Sequence, residues 1–292
     1  MLDKLNNFYK THYKALLIIP LLMLLLSFLV IGMQYSNTGD FFIKGITLSG
    51  GLSITALGAD LDSSNMESVL QAEFEGFEIN TRSLQDAGVK IGVIVDSTIL
   101  PQTEESERFT QRVSELANVP VGELSVESID ASLGDAFFRQ TALAVLIAFV
   151  FMGLVVFAYF RKLVPSAAVI LAAFSNIVVT IAILNLANIS IGTAGIAALL
   201  MLIGYSVDTD ILLTTRLLKE TDGTYYDRLI GAMKTGLTMS VTTLIATGVT
   251  FMVAESAVLR EIILIVMIGL LVDLVNTWLQ NAGILRWHLE EN

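Results

Sequence analysis

Along its 292 residues the chain alternates between long apolar runs and one extended polar stretch. Six runs, residues 15–33, 140–160, 164–187, 191–213, 236–254 and 261–284, can each cross ~30 Å of hydrocarbon, which takes about 20 helical residues. The polar stretch, 34–139, lies between the first and second runs. Inside it the periodicity changes. Residues 41–48 and 52–57 are apolar and β-branched, with Ser49-Gly50-Gly51 between them as a turn or bulge. Ser64-Asn65-Met66-Glu67 has the form of a capping box that opens a helix to about Phe74. "FEINTRSL" (77–84) and "VKIGVIVDS" (89–97) alternate like paired strands around Asp86-Ala87-Gly88. Residues 103–117 place Phe109, Val113 and Leu116 at helical spacing, and "ELSVESI" (123–129) reads as a last strand. The order β-α-β-β-α-β predicts a ferredoxin-like α+β domain. The expected fold is an α-helical polytopic membrane protein with six transmembrane helices and that domain between helices 1 and 2.

Composition agrees with the pattern. Hydrophobic residues make up 54% and charged ones 15%, more apolar sequence than a soluble chain of this length could cover. There is no cysteine, so disulfides and thiolate chemistry are excluded, and the two histidines, His12 and His288, stand at opposite ends. No metal, cofactor or nucleotide-binding loop is expected; Gly50-Gly51 is a backbone feature, since no helix start with Lys follows it. The net charge of −11 belongs to residues 34–139, where 17 acids meet 6 bases, while the other 11 acids and 11 bases cancel. An acidic insert on a balanced membrane part argues against nucleic acid as a partner.

Basic residues set the orientation. Lys4, Lys10, Lys14, Arg161, Lys162, Arg216, Lys219, Arg228, Lys234 and Arg286 all fall in one set of loops. The positive-inside rule makes that set cytoplasmic. Both termini are then inside, and the insert is outside by parity. The expected division is a cytoplasmic N-terminus 1–14, a first transmembrane helix 15–33, an extracytoplasmic domain 34–139, a five-helix bundle 140–285 and a cytoplasmic C-terminus 286–292. The first run exceeds a signal-peptide core and is not followed by a small-x-small site, so it is read as a retained anchor.

Candidate chemistry sits where charge enters the apolar runs. Asp208 and Asp210 interrupt the fourth, and an acid at a membrane helix centre costs about 2.5–3.5 kcal/mol on insertion scales. At i and i+2 they point about 200° apart, so one faces the bundle and the other a partner helix or a crevice. Asp273 falls inside the sixth run with Asn276 at i+3, and Arg260 stands at its outer start beside Glu255 and Glu261. The fifth run supplies Thr238, Ser240, Thr242, Thr243, Thr247 and Thr250. Intramembrane acids are functional-site candidates by default. The bland alternative is interhelical glue, for instance a carboxylate bonded to those threonines.

Three stretches carry a resemblance. "GITLSGGL" (45–52), "GYSVDTDILLTTR" (204–216) and "VLREIIL" (258–264) are similar to the external-domain opening, the fourth-span motif and the last-span start of the SecD/SecF family. The chain resembles the SecF side of that family in its archaeal form, along nearly its whole length. The resemblance implies a non-enzymatic subunit of the cell membrane that works with a SecD-like subunit and the Sec translocation channel on exported polypeptides, among membrane lipids, drawing on the proton gradient. It places Arg260 on the family arginine and Asp208 on the acid of the sister subunit's motif, while Thr209 stands where bacterial members have their acid. The implied proton relay is Asp208, Asp210 and Arg260. Asp273 and Asn276 form a second polar site to which nothing carries over. The rival reading is a proton-driven exporter of small molecules or lipids from the same superfamily. An intramembrane aspartyl protease is set aside, because neither Asp208 nor Asp273 has the Gly-x-Gly-Asp or Tyr-Asp setting that chemistry uses.

Overall fold

The computed structural model describes residues 13–58, 63–77, 79–86, 89–129, 131–254 and 256–291. Lys4, Lys10, His12, Ala87, Gly88 and Glu255, all named above, lie outside the described residues. The chain is mostly helical, with one small antiparallel sheet.

Helix α1 (Ile18–Thr38) ends at Gly39, whose φ of 79° is the left-handed cap that glycine adopts without strain. The next stretch departs from expectation. Residues 41–48 do not form a strand: Ile46–Ser49 make one helical turn, α2, and Lys44 forms an isolated parallel bridge to Ile191. The backbone amide of Gly45 donates to the Ile191 carbonyl (2.9 Å), and that of Ile191 to the Ile43 carbonyl (2.8 Å). Leu48 is fully buried among bundle residues. Tertiary pairing with the bundle thus overrides β-propensity here.

Strand β1 (Gly51–Leu57) starts where only glycine fits. Gly51 has φ 135°, and a Cβ there would lie 3.1 Å from Thr98 Cα. Then follow α3 (Ser63–Glu73), β2 (Ile79–Asp86), β3 (Val89–Ser97), α4 (Glu104–Ala117) and β4 (Ser125–Ile129). The sheet runs β2-β3-β1-β4 with every neighbour antiparallel, and Ile54 stands opposite both Val95 and Val126. Alternation sends Leu52, Ile54, Ala56, Val93 and Val95 to one face, where Leu70, Phe109 and Val113 of the two helices and Phe74, just past α3, cover them. The cap of α3 is not Ser64, because the helix already includes Ser63. Glu67 instead accepts from the Thr81 amide and hydroxyl (2.9 Å each) and pins α3 to β2. A capping box does open α4, through Thr103 and Ser106.

The rest is a helical bundle: α5 (Ala131–Phe160), α6 (Leu163–Leu186), α7 (Thr193–Leu218), α8 (Tyr225–Val253), α9 (Ala257–Val275), a π-turn (Asn276–Asn281) and α10 (Ala282–Glu291). Among the described residues five helices are long and apolar enough to cross a membrane: Tyr13–Thr38, Ala136–Phe160, Leu163–Leu186, Thr193–Leu218 and Tyr225–Val253. The stretch expected as a sixth crossing is helical but carries Arg260, Glu261 and Asp273 within α9. Helices α6 and α7 are central, while α1, α5 and α8 leave most of their apolar surface uncovered. Close approach is made at glycines. A Cβ on Gly269 of α9 would stand 2.9 Å from Leu202 Cγ of α7, and one on Gly236 of α8 would stand 3.2 Å from Thr209 Cγ2 of α7. Helix α8 begins 11 residues before the apolar run does, because Thr224 and Asp227 form a capping box that carries the helix through polar sequence.

Candidate functional site

Asp208 and Asp210 face opposite ways, as their spacing requires. Asp210 is fully buried, and its Oδ1 accepts from the Asn281 amide at 2.8 Å. Asp208 is exposed on a stripe of α7 with Ala197, Met201 and Gly204, spaced as one helical face. No Cβ at Gly204 would meet anything within 4 Å, so this face has no neighbour in the described chain.

Asp210 does not stand alone in the interior. Asp273 of α9 is also buried, and its Oδ1 accepts from Ser206 of α7, from Asn176 of α6 (3.4 Å) and from Thr277 of the π-turn (3.4 Å). Ser206 stands one turn before Asp210 on α7, and Thr277 one turn before Asn281, so the two carboxylates are held by successive turns of the same two elements. Gln280 donates to Ser175 of α6 at 3.0 Å. The two acids, together with Asn276, Thr277, Gln280 and Asn281, thus form one polar centre between α6, α7 and the π-turn. Its donors leave oxygens over. Asp210 Oδ2, Asp273 Oδ2, Asn176 Oδ1 and Asn281 Oδ1 are buried without a hydrogen-bond partner, and so are both side-chain heteroatoms of Asn276. Buried polar atoms are normally paired.

The π-turn brings this about locally. A π-turn holds one more residue per turn than the α-helix around it and is frequent at functional sites. Here it turns Thr277 and Asn281 toward the acids and Trp278 toward Gly236 on α8.

Arg260 lies elsewhere. Its Nε donates to the Ala254 carbonyl (2.7 Å), and its guanidinium sits 5.7 Å from the Phe251 ring centre. At 1.5 Å per residue it is about 20 Å along α9 from Asp273. Glu261 beside it caps α7: its Oε1 accepts from the Gly192 amide at 2.7 Å, where a helix N-terminus favours a carboxylate. The threonines of α8 do not bond to the aspartates. Thr238, Thr242 and Thr247 donate back to the carbonyls of Lys234, Thr238 and Thr243, four residues earlier (2.7 Å each).

The sequence reading singled out Asp210, Asp273 and Asn276 of this centre and missed Asn176, Ser206, Thr277, Gln280 and Asn281. A signal was present. Asp273, Asn276, Thr277, Gln280 and Asn281 follow i, i+3, i+4, i+7, i+8 spacing, which marks one polar stripe on an otherwise apolar helix.

The family described as "Protein export membrane protein SecD/SecF, C-terminal" matches residues 109–291. A protein-export membrane protein SecF from Methanocaldococcus jannaschii is 36% identical over 96% of this chain and 96% of its own length. One from Thermococcus gammatolerans is 32% identical over 98% and 89%. Among solved structures, SecDF from Thermus thermophilus, described as a translocon-associated membrane protein, superposes with a TM-score of 0.70 at 20% identity, covering 97% of this chain. The chain spans 38% of that longer protein.

Proposed function

The chain belongs to the SecD/SecF family of protein-export membrane proteins, and on that premise we propose that it is an accessory subunit of Sec-dependent protein export. Its role is non-enzymatic. It works in the cell membrane beside a SecD-like subunit and the Sec channel, on polypeptides as they emerge.

One observation carries the partner: the uncovered stripe of α7 that bears Asp208. A carboxylate facing hydrocarbon at this depth is costly, so a second helical unit closes over it. That the solved SecDF chain is more than twice as long supports a missing half of similar size.

The finer architecture follows the same reading. Helices α9 and α10, continuous through the π-turn, form the sixth crossing; its charges turn inward or stand at its outer end. With six crossings both termini are cytoplasmic and residues 34–139 are outside. The antiparallel order β2-β3-β1-β4, with a helix after β1 and after β3, supports a ferredoxin-like domain there.

Energy enters through the membrane acids. Occupancy of the Asp210–Asp273 centre by an ion from the transmembrane gradient biases two packings of α6, α7 and α9 and moves the outer domain. Moving one charge through 100 mV supplies about 2.3 kcal/mol. The resemblance implies a proton as that ion and a relay of Asp208, Asp210 and Arg260; Asp273 joins the proposal because it is buried and bonded to Ser206, one turn from Asp210.

Purification in mild detergent tests the reading. A SecD-like protein and channel subunits are expected to accompany the full chain, and Asp208→Lys is expected to lose the SecD-like partner. A chain that purifies alone, and whose loss sensitises cells to small toxic molecules while export stays normal, would establish the exporter instead.

A further inference from the structure

We propose that the C-terminal ends of α5 and α7 form a headgroup site for one anionic phospholipid, with Arg161, Lys162 and Lys219 around its phosphate. The site requires that the chain lie in a membrane; it does not require the export reading.

Helices α5 and α7 meet at this corner. The Lys219 ammonium, just past the end of α7, lies 3.7 Å from the Tyr159 ring centre and 5.8 Å from that of Phe160. The Thr215 hydroxyl, one turn earlier on α7, donates to the Tyr159 hydroxyl at 3.4 Å and so holds the ring under the ammonium. Arg161 and Lys162 follow those two aromatic residues directly in the chain, and both are exposed. Three cations therefore share one corner.

No carboxylate of the chain neutralises them. Among the described residues none of the three forms an ion pair, and Glu220, next to Lys219, faces Arg216 instead at 3.9 Å. A ring face attracts the Lys219 charge without cancelling it. Arg161 is a costly choice for the backbone. Its φ of 52° is left-handed, at the position after a helix end that glycine usually takes. A side chain there bears strain that glycine would not, and the arginine's forked donors match the oxygens of a phosphate.

The apolar surface beside the cations points to a lipid over a free phosphate. Phe151, Val155 and Tyr159 recur every four residues on α5 and are all exposed, so one stripe leads along the helix to Arg161. Leu163, the first residue of α6, is exposed beside the cations. An acyl chain laid on that stripe brings its phosphate to the corner. Basic sites at the cytoplasmic ends of membrane helices take anionic headgroups in this way. Thr215 and Lys219 also continue the α7 stripe that bears Asp208, seven and eleven residues on. The lipid therefore sits at the inner end of the face assigned to the partner.

The full chain, purified in mild detergent, tests this with phosphatidylglycerol and phosphatidylcholine of identical acyl chains. The unfolding midpoint is expected to rise saturably with phosphatidylglycerol and to stay flat with phosphatidylcholine. Native mass spectrometry should retain one phosphatidylglycerol per chain. Lys219→Ala and Lys162→Ala should each weaken that binding about fivefold, the factor for one basic residue near an anionic lipid. Arg161→Gly should weaken it without lowering the lipid-free midpoint, since the glycine relieves the backbone, so lost binding is not lost folding. Lys234→Ala, which removes an exposed cation of α8, should leave binding unchanged. Equal retention of phosphatidylcholine overturns the site, and so does an equal loss in Lys234→Ala, as basic flanks in general would give. Inorganic phosphate that reproduces the rise at the same concentration overturns the lipid as occupant. A chain that responds to neither lipid, and whose Lys219→Ala variant loses the SecD-like partner, also overturns it and gives the corner to an acidic segment of that partner.

Discussion

Asp208 and Asp210 are two residues apart and occupy unlike environments: one is exposed on α7, the other fully buried against Asn281. Helical geometry made the opposition legible from spacing alone, but not which acid turned inward. Gly204, one turn before Asp208, has open space where a Cβ would stand. The difference is measurable in the isolated chain. Asp208→Asn touches nothing and should leave unfolding in detergent within about 0.5 kcal/mol of the parent. Asn281→Ala strands a buried carboxylate oxygen and should cost about 1–3 kcal/mol. A larger loss from Asp208→Asn than from Asn281→Ala would reverse the assignment of faces.

At the scale of elements, apolar periodicity located the helices and strands because burial on one face is what the pattern records. It failed in two places for the same physical reason. Residues 41–48 read as a strand and instead dock on the turn before α7, and α8 runs on through polar sequence once Thr224 and Asp227 cap it. Both outcomes depend on partners distant in the chain or on a local cap, and neither is periodic. The π-turn was equally hidden, though its polar stripe was in view. Packing around it gives a sharp expectation. A Cβ at Gly236 would meet the Trp278 ring, including Cη2 at 3.0 Å. Gly236→Val should therefore push α8 from the π-turn and destabilise the bundle by about 1–3 kcal/mol, read as a lower unfolding midpoint and faster amide exchange in 276–281. Glu261 offers a second test. Glu261→Ala removes the carboxylate that caps α7 and should cost about 0.5–2 kcal/mol, with exchange speeding first at Gly192 and its neighbours. Unchanged exchange there would show that Glu261 is not the cap.

For the whole molecule, the question is how a polar centre deep in the bundle moves a domain outside it. One linkage is the run from β4 into α5; another is a collar made by residues 41–49 and the turn between α6 and α7. The turn between α6 and α7 is tied to the stretch that enters the domain by Asn185, whose amide donates to the Phe41 carbonyl (3.0 Å) and whose Oδ1 accepts from the Ile43 amide (3.3 Å). Thr47 adds a bond from the Thr193 amide to its hydroxyl at 2.9 Å. Because α6 and α7 also carry Asn176 and Asp210, a shift of these helices would be passed to residues 41–49, and Gly50, between α2 and β1, is where the chain could bend. On this view the collar stays closed and the hinge moves. A cross-link decides between the two. A Cβ at residue 192 would stand 2.8 Å from Thr47 Oγ1, so the two Cβ atoms are at most about 4.2 Å apart, inside the ~3.5–4.5 Å range of disulfides. In a chain with no native cysteine, the pair Thr47→Cys and Gly192→Cys should oxidise readily. Export by the oxidised complex should match that of the reduced one, since a rigid collar loses nothing by being locked. Export that stops on oxidation and returns with reductant would mean that the collar itself opens in each cycle, and a hinge at Gly50 would lose its role.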